Sequence, residues 1–227
     1  MKLIIAGCDY AGKTSLAKKV VEWMHSNLSA RYADDVPLGA HDHFTFPNPE
    51  LPPDEREKLL LLGPKAREQY QRYMITYHLE PSFMRDDPDL VLVGFHFTEA
   101  VYPPMYYGYG EPGAYAERSL YAREVENRVN ELDAETVLVF LKATPEVVRE
   151  RMKAHPSPDS PLLEPNVDRA VAAFEHEYNS CFIRRRFMID TSDTSPDQMF
   201  DQWLRTMESG YFTQVDWLRI LGRRQTR

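Results

Sequence analysis

The chain has 227 residues, which at roughly 100 to 200 residues per domain allows one large domain or two small ones. Its composition, 43% hydrophobic and 27% charged, is that of an ordinary globular protein and excludes a disordered, fibrous or collagen-like chain. Lys and Arg number 27 against 35 Asp and Glu, so the net charge of −8 gives no general attraction to nucleic-acid backbones or anionic lipid.

The cysteine count bears on the compartment. Cys8 and Cys181 are the only two cysteines, too few for a disulfide framework and suited to a reducing environment. The apolar residues 1–6 run straight into Gly7 and lack the longer apolar core of a signal peptide. No stretch approaches the roughly 20 apolar residues of a membrane helix. We therefore expect a cytoplasmic protein with no membrane partner.

The first half of the chain alternates between strand-like and helix-like patterns. A short apolar run ends in a glycine turn, after which apolar residues recur at helical spacing. A continuous aliphatic run further on is typical of a strand covered on both faces in a parallel sheet. In chain order the pattern predicts a strand at 2–6, a helix from Lys13, a weak strand at 36–40, helices at about 54–62 and 65–84, and a strand at 90–93.

The second half continues the alternation. It predicts a Pro/Gly/Tyr-rich loop at 101–112, a helix with its apolar face at Tyr121 to Leu132, and a strand at 137–141. A helix begun by Thr144-Pro145, a helix at 167–181 and a strand at 187–190 follow. The last predicted elements are a helix begun by a capping box at Ser195 and a short amphipathic helix near the end. We expect one α/β domain with a mostly parallel, about five-stranded sheet, a proline-rich lid near 155–165 and a C-terminal extension at 209–227.

A phosphate-binding motif lies between the first strand and the first helix. Residues 7–14 fit G-x-x-x-x-G-K-[ST] completely. In this motif the glycines let backbone amides surround a phosphate, Lys13 adds positive charge, and the Thr14 hydroxyl is a ligand for Mg²⁺. The predicted nucleotide-binding residues are Gly7, Cys8, Asp9, Tyr10, Ala11, Gly12, Lys13, Thr14 and Ser15, with Lys13 also catalytic.

This motif and the layout resemble the P-loop kinases of nucleosides and nucleotides, thymidylate kinase in particular. The family's loop reads G-x-D-x-x-G-K-[ST], and Asp9 preserves its acid. Further similarity lies in Thr144-Pro145-Glu146, in Ile189 to Ser192, and in the helix that contains Lys65 to Gln69. The resemblance implies a three-layer P-loop kinase fold, ATP and Mg²⁺ as cofactors, a contact between Asp9 and the acceptor's sugar hydroxyl, and a homodimer.

One element of the thymidylate kinase pattern is missing. The family carries an Asp-Arg pair just after its third strand, where this chain has Gly94 to Glu99. Either His96 takes over part of the arginine's role in holding phosphate, or the acceptor differs. His96 as a hydrogen-bonded histidine at a strand end is the other interpretation. For Glu99 the alternatives are a ligand of Mg²⁺ through water, an orienting group for an acceptor hydroxyl, or a solvated loop residue.

Three further candidates face the expected acceptor. Asp42, at the end of the second predicted strand, is placed to accept the proton of an acceptor hydroxyl or to help hold Mg²⁺. Its neighbours make a His-Asp-His sequence, but no second cluster completes a zinc site. On the substrate-side helix we predict Arg72, rather than Arg67, as the phosphate-contacting arginine. Tyr107 is the predicted substrate-binding member of an aromatic set on loops, where a base can stack.

These observations predict an ATP-dependent phosphotransferase that acts on a nucleoside monophosphate or a nucleoside. Two alternatives stay open. One is a kinase of another hydroxyl, such as a modified base in DNA, with Arg184 to Arg186 and Arg223, Arg224 and Arg227 as the backbone-binding patch; the net charge of −8 disfavours it. The other is a nucleotide-binding regulatory module without catalysis.

Overall fold

A computed structural model describes residues 1–28, 40–42, 44, 46–48 and 50–225. Within that part of the chain four strands form one fully parallel sheet in the order β2-β1-β3-β4. The strands are β1 (Lys2–Gly7), β2 (Leu90–Val93), β3 (Val137–Lys142) and β4 (Arg186–Asp190). The two central strands carry almost only buried aliphatic residues, as a sheet covered on both faces requires.

Helices cover the sheet in two groups. Helix α1 contacts both α9 and α10, whereas α5 contacts α6 and α8, and members of both groups contact β1. The helices are α1 (Lys13–Leu28), α2 (Pro53–Leu60), α3 (Pro64–Tyr77), α4 (Pro81–Met84), α5 (Phe95–Tyr102), α6 (Arg118–Leu132), α7 (Pro145–Ala154), α8 (Val167–Ser180), α9 (Pro196–Thr206) and α10 (Gln214–Gln225). The predicted α/β fold with a parallel sheet is confirmed.

The expected strand at 36–40 falls almost entirely outside the described residues. Just beyond it, the His41 amide donates to the Val91 carbonyl at 2.8 Å, and the Val93 amide donates to the His41 carbonyl at 2.9 Å. His41 therefore pairs in parallel with β2, on the side away from β1. This pairing places the neighbouring Asp42 at the carboxyl edge of the sheet.

Two predicted elements differ from the structure. The single helix expected at 65–84 is broken, because Pro81 starts α4 and the preceding Glu80 is extended with ψ 141°. The loop expected from residue 101 is helical instead: α5 begins directly after β2 and continues into a π-helical turn at Pro103–Tyr107. The start of α5 carries no capping side chain, and a left-handed Gly94 with φ 80° makes the turn.

The C-terminal extension is integrated into the domain. Phe212 stacks on Trp23 with ring centroids 5.3 Å apart, and Ile220 of α10 is buried. Arg219 donates to the Leu28 carbonyl at 2.7 Å and to the Asp89 carboxylate at 2.6 Å. The segment after α9 thus closes the layer that contains α1. Among the described helices none combines the length and the apolar character needed to cross a membrane.

Candidate active site

The loop between β1 and α1 turns back over its own lysine. Lys13 Nζ donates to the carbonyls of Gly7 at 2.9 Å and Cys8 at 3.1 Å, and to Asp9 Oδ1 at 3.0 Å. Gly7 has φ 147°, and a Cβ at this position would lie 2.4 Å from the Leu141 carbonyl oxygen. Only glycine lets β1 run this close to β3, so the first motif residue is fixed by packing as well as by phosphate chemistry.

Thr14 and Asp42 form a pair of oxygen donors beside the loop. The Thr14 hydroxyl donates to Asp42 Oδ2 at 3.2 Å. Burial raises the pKa of the Asp42 carboxyl to about 6, against the lowering effect of Lys13. A hydroxyl and a carboxylate are hard oxygen ligands of the kind that Mg²⁺ takes, usually together with water and phosphate oxygens. These two residues therefore fit a magnesium ion bound with a nucleotide.

The proline-rich segment lies across the loop. The Ser160 hydroxyl donates to Asp9 Oδ2 at 2.6 Å, and the Ser157 amide donates to the Tyr10 hydroxyl at 3.1 Å. Asp9 is thus held from one side by Lys13 and from the other by the lid. Sequence reasoning placed a lid here but missed Ser160 as its contact, because a serine among four prolines carries no motif.

Arg151 fastens the loop from the side of β4. Its guanidinium donates to the Tyr10 carbonyl at 3.0 Å and to the Thr191 carbonyl. The Thr191 hydroxyl in turn contacts the Ala11 carbonyl at 3.0 Å. From the sequence Arg151 is indistinguishable from an ordinary solvated residue of the last turn of α7. The structure instead places it in the wall of the cleft beside the loop.

These elements enclose a cleft of about 710 Å³ that the motif residues Asp9 to Ser15 line together with Asp42, Arg151 and Thr191. A second space of about 450 Å³ lies between α2, the π-helical turn and the lid, and Phe46 and Tyr107 are among its walls. We call it the aromatic pocket. Asp159 and Ser160 of the lid line both spaces, so the two adjoin.

Tyr107, the predicted substrate-binding tyrosine, lies in the aromatic pocket. Its hydroxyl donates to the Phe46 carbonyl at 3.2 Å, and the two rings meet edge to face at 5.6 Å. Burial raises the pKa of Tyr107 well above its ordinary value, so the hydroxyl keeps its proton. The structure therefore places Tyr107 in the wall of a pocket that adjoins the cleft lined by Asp9 and Asp42.

The two arginines of α3, Arg67 and Arg72, have different surroundings. Arg72 donates to Glu68 Oε1 at 2.7 Å and lies over the ring of Tyr121 at 4.3 Å, on the side of α3 that faces α6. The Arg67 guanidinium, five residues earlier, lies 5.0 Å from the ring of Phe46 and 5.2 Å from that of Tyr107. Of the two arginines, only Arg67 lies against rings that line the aromatic pocket, and Arg72 as the phosphate-contacting arginine stays a prediction.

Glu99 is fully buried, not solvated. Its carboxylate accepts a hydrogen bond from the Gln71 amide and lies 3.4 Å from the guanidinium of Arg118. Gln71 in turn accepts from the Tyr109 hydroxyl. Burial raises the pKa of Glu99 to about 8 although Arg118 opposes the shift. Of the expected alternatives for Glu99 the solvated loop residue is wrong, because α5 carries it under α3.

Arg118 was missed by the sequence analysis. Its side chain is fully buried between the rings of Tyr109 and Tyr121, at 4.9 and 5.0 Å. Glu68 Oε1 lies 3.6 Å away, so Arg118 has a carboxylate on each side. No motif for phosphate binding marks this residue, and only the packing of α3, α5 and α6 brings its partners to it.

His96 does not reach the cleft. Its Nε2 lies 3.1 Å from Glu126 Oε1, and Cys181 completes a buried group of His, Glu and Cys under α6. Arg123 also donates to Glu126, at 2.9 Å. The expectation that His96 replaces the missing arginine is wrong, because its side chain is buried against Glu126 and does not line the cleft. The interpretation of His96 as a hydrogen-bonded histidine agrees with the structure.

The His-Asp-His segment is only partly described, since His43 falls outside the described residues. The His41 ring packs edge to face on His78 at 5.3 Å and on Phe83 at 4.9 Å. This packing turns His41 into an aromatic cluster rather than toward Asp42. Over the part of the chain that the structure covers, these residues do not gather as ligands of a zinc ion.

The basic run at 184–186 is engaged within the fold. Arg185 forms an ion pair with Glu135 and donates to the Tyr211 carbonyl at 2.5 Å. Arg186 donates to the Cys181 carbonyl, and its guanidinium lies 5.4 Å from the ring of Tyr178. The hypothesised DNA-binding patch therefore loses two of its arginines to internal contacts. Arg227 lies outside the described residues.

No family model matches the chain, and no curated protein matches its sequence. Two solved structures resemble its fold. Deoxyadenosine kinase from M. mycoides, with bound dCTP, has a TM-score of 0.54 at 15% identity over 92% of this chain and 100% of that chain. The YorR protein from Bacillus subtilis, in complex with phosphorylated GDP, has a TM-score of 0.53 at 14% identity over 94% of this chain and 100% of that chain. At these identities the likeness shows the P-loop kinase fold alone.

Proposed function

We propose that this protein is an ATP- and Mg²⁺-dependent phosphotransferase that transfers the γ-phosphate of ATP to a hydroxyl of a nucleoside or nucleoside monophosphate. One observation carries the proposal. The motif lysine Lys13, the oxygen pair of Thr14 and Asp42, and the carboxylate of Asp9 meet in one cleft, and that cleft adjoins an aromatic pocket. A nucleotide and an aromatic acceptor can lie side by side in this arrangement.

At the nucleotide end the protein offers positive charge and backbone amides. The first amides of α1 point along the helix axis into the cleft, where a phosphate would lie, and Lys13 adds the charge. Thr14 and Asp42 would hold Mg²⁺, which when bound neutralises charge that develops on the transferred phosphoryl group. Arg151 and Thr191 keep the loop in its phosphate-binding shape through their bonds to Tyr10 and Ala11.

At the acceptor end the protein offers carboxylates and rings. A carboxylate has two oxygens, so Asp42 can serve the Thr14 side with one and take the proton of the acceptor hydroxyl with the other. Asp9 would accept a hydrogen bond from a second hydroxyl, as the resemblance to thymidylate kinase implies. Phe46 and Tyr107 would stack on a base, and the lid segment would exclude water from the transfer. The nucleotide ligands of the two similar structures agree with an acceptor of this class.

The test is ADP release from Mg²⁺-ATP across a panel of nucleosides, nucleoside monophosphates and hydroxymethyl-containing DNA. We expect one acceptor class to stimulate release, and Lys13→Ala to reduce that release at least about 100-fold. Lys18→Ala is the matched control, because Lys18 is exposed on the same helix. No stimulation by any acceptor, with ATP binding intact, would refute the phosphotransferase and leave the regulatory module.

The same panel distinguishes a nucleoside or nucleotide kinase from a kinase of a hydroxyl in modified DNA. Release stimulated only by modified DNA, in a manner that weakens steeply with salt, would favour a kinase of a DNA hydroxyl. The internal contacts of Arg185 and Arg186 count against that outcome. The homodimer implied by the resemblance stays a prediction, and light scattering of the purified protein measures it.

A further inference from the structure

The charges around the aromatic pocket indicate whether it favours an acceptor that already carries a phosphate group. An acceptor monophosphate brings two negative charges, and proteins hold such a group with arginines free to donate to its oxygens. A neutral acceptor needs hydroxyl-binding carboxylates and rings instead. Whether the pocket suits a phosphate or a neutral acceptor depends on which groups its arginines are already paired with.

Of the described arginines, Arg56 lines the aromatic pocket and Arg67 lies against two rings that line it, and both donate to protein oxygens. Arg56, which lines it, forms an ion pair with Asp159 of the lid. Arg67 donates to the backbone carbonyls of Leu60 at 3.0 Å and Leu62 at 3.1 Å, and its guanidinium lies between two aromatic rings. Both guanidinium groups already donate to protein oxygens, unlike those of a preformed phosphate-binding site.

Two carboxylates lie at the junction between the pocket and the cleft. Asp159 lines both spaces, and Asp9, which lines the cleft, accepts a hydrogen bond from Ser160, which also lines both. Lys13, the cation nearest to Asp9, is needed for the phosphates of ATP. An acceptor phosphate at this junction would face these acids, and like charges at such a distance repel strongly where water is excluded.

We propose that the acceptor is a neutral, hydroxyl-bearing molecule of nucleoside size, and that the junction acids select against an acceptor that already carries a phosphate. This inference rests on the proposed function and departs from the monophosphate acceptor of thymidylate kinases. Asp159 is its specificity-determining residue, since its carboxylate neutralises Arg56 at the point where both spaces meet.

The experiment compares matched pairs, each a nucleoside and its own 5′-monophosphate, with the same base and sugar. ADP release gives kcat/KM for each member, and calorimetry gives its binding with the nucleotide site saturated by a non-hydrolysable ATP analogue and Mg²⁺. We expect the nucleoside to exceed its monophosphate at least about 30-fold in kcat/KM and to bind more tightly. A pair in which the monophosphate is the better acceptor overturns the inference while the phosphotransferase stands.

Asp159→Asn tests the cause. Loss of this carboxylate frees Arg56 and removes a negative charge, so the preference for the nucleoside should narrow about threefold to tenfold, mainly through the KM of the monophosphate. Asp54→Asn, on the exposed face of α2, is the matched control and should leave the preference unchanged. An unchanged preference in Asp159→Asn would overturn the role of this residue.

Arg67→Ala tests the contrary view that Arg67 holds an acceptor phosphate. We expect both members of a pair to weaken alike, because the side chain only packs on Phe46 and Tyr107. A selective loss of monophosphate use would overturn the inference. Failure of the proposed function looks different: no member of any pair would release ADP, although the ATP analogue binds, and the inference then falls with it.

Discussion

The cleft, proposed as the nucleotide end of the site, and the aromatic pocket, proposed as its acceptor end, are built in different ways. The nucleotide end is centred on one short segment, Gly7 to Ser15: the bonds of Lys13 lie within it, and Arg151 and Ser160 brace it from distant parts of the chain. The acceptor end has no such segment: Phe46, Arg67 and Tyr107 meet there from separate elements, and Asp159 lines it from the lid. A local motif defines the first end and packing alone defines the second, so mutations should affect them differently.

The largest effect should come from Asp42, which belongs to both ends. Asp42→Asn keeps the shape and an acceptor for the Thr14 hydroxyl but removes the proton acceptor and the charge. We expect kcat for the acceptor-dependent reaction to fall about 10²- to 10³-fold, with KM for ATP little changed. Steady-state kinetics measure both values. Asp86→Asn, at an exposed ion pair, is the control; equal losses in the two variants would contradict the special role of Asp42.

Glu99 should affect stability in a pH-dependent way. Its folded pKa of about 8 lies above the ordinary value of 4.5, so the folded state holds a proton that the unfolded chain loses between these values. The stabilisation linked to that proton is fully present below pH 4.5 and is lost as the pH rises through 8.

Glu99→Gln stays neutral and keeps an acceptor for the Gln71 amide. Relative to this variant, the free energy of unfolding of the wild type should fall on the order of 4 kcal/mol between pH 5 and 8.5. Denaturant unfolding at several pH values measures the difference. Parallel stability curves for the two proteins would show that Glu99 titrates normally.

Tyr107 separates packing from hydrogen bonding at the acceptor end. Tyr107→Ala removes the ring that faces Phe46 and should raise the KM for the acceptor about tenfold, since stacking on one ring contributes about 1–3 kcal/mol. Tyr107→Phe loses only the bond to the Phe46 carbonyl and should raise it about threefold or less. Acceptor titrations at saturating ATP measure both. A larger loss in Tyr107→Phe than in Tyr107→Ala would contradict stacking.

Ser160 gives the smallest expected effect and joins the two ends. Ser160→Ala breaks the bond of the lid to Asp9, and we expect kcat/KM for the acceptor to fall about threefold, with more ADP release in the absence of acceptor. The ratio of acceptor-free to acceptor-stimulated release is the measurement. Ser157→Ala is the control, because only its backbone amide contacts Tyr10. A change of the same size there would point to the lid as a whole.

The difference between the two ends also explains which predictions were right. The parallel sheet and the capping box at Ser195 follow from spacing within short segments, and the structure contains both. Arg72 and His96 have partners that spacing did not predict: Arg72, five residues after Arg67, lies about 140° further around α3, and His96 pairs with Glu126. Helix α5 starts without a capping signal, so the sequence predicted neither this helix nor the burial of its residues.

The sequence by itself determined the α/β fold and the place of the G-x-x-x-x-G-K-[ST] motif between a strand and a helix, because periodicity and tight turns depend on neighbours along the chain. Only the tertiary structure decided that Arg67 lies against Phe46 and Tyr107, that Glu99 is buried with a raised pKa, and that Arg56 is paired with Asp159. Partners across the chain set burial and charge. The proposed choice of acceptor depends on those two quantities, and they exist only once distant segments have packed together.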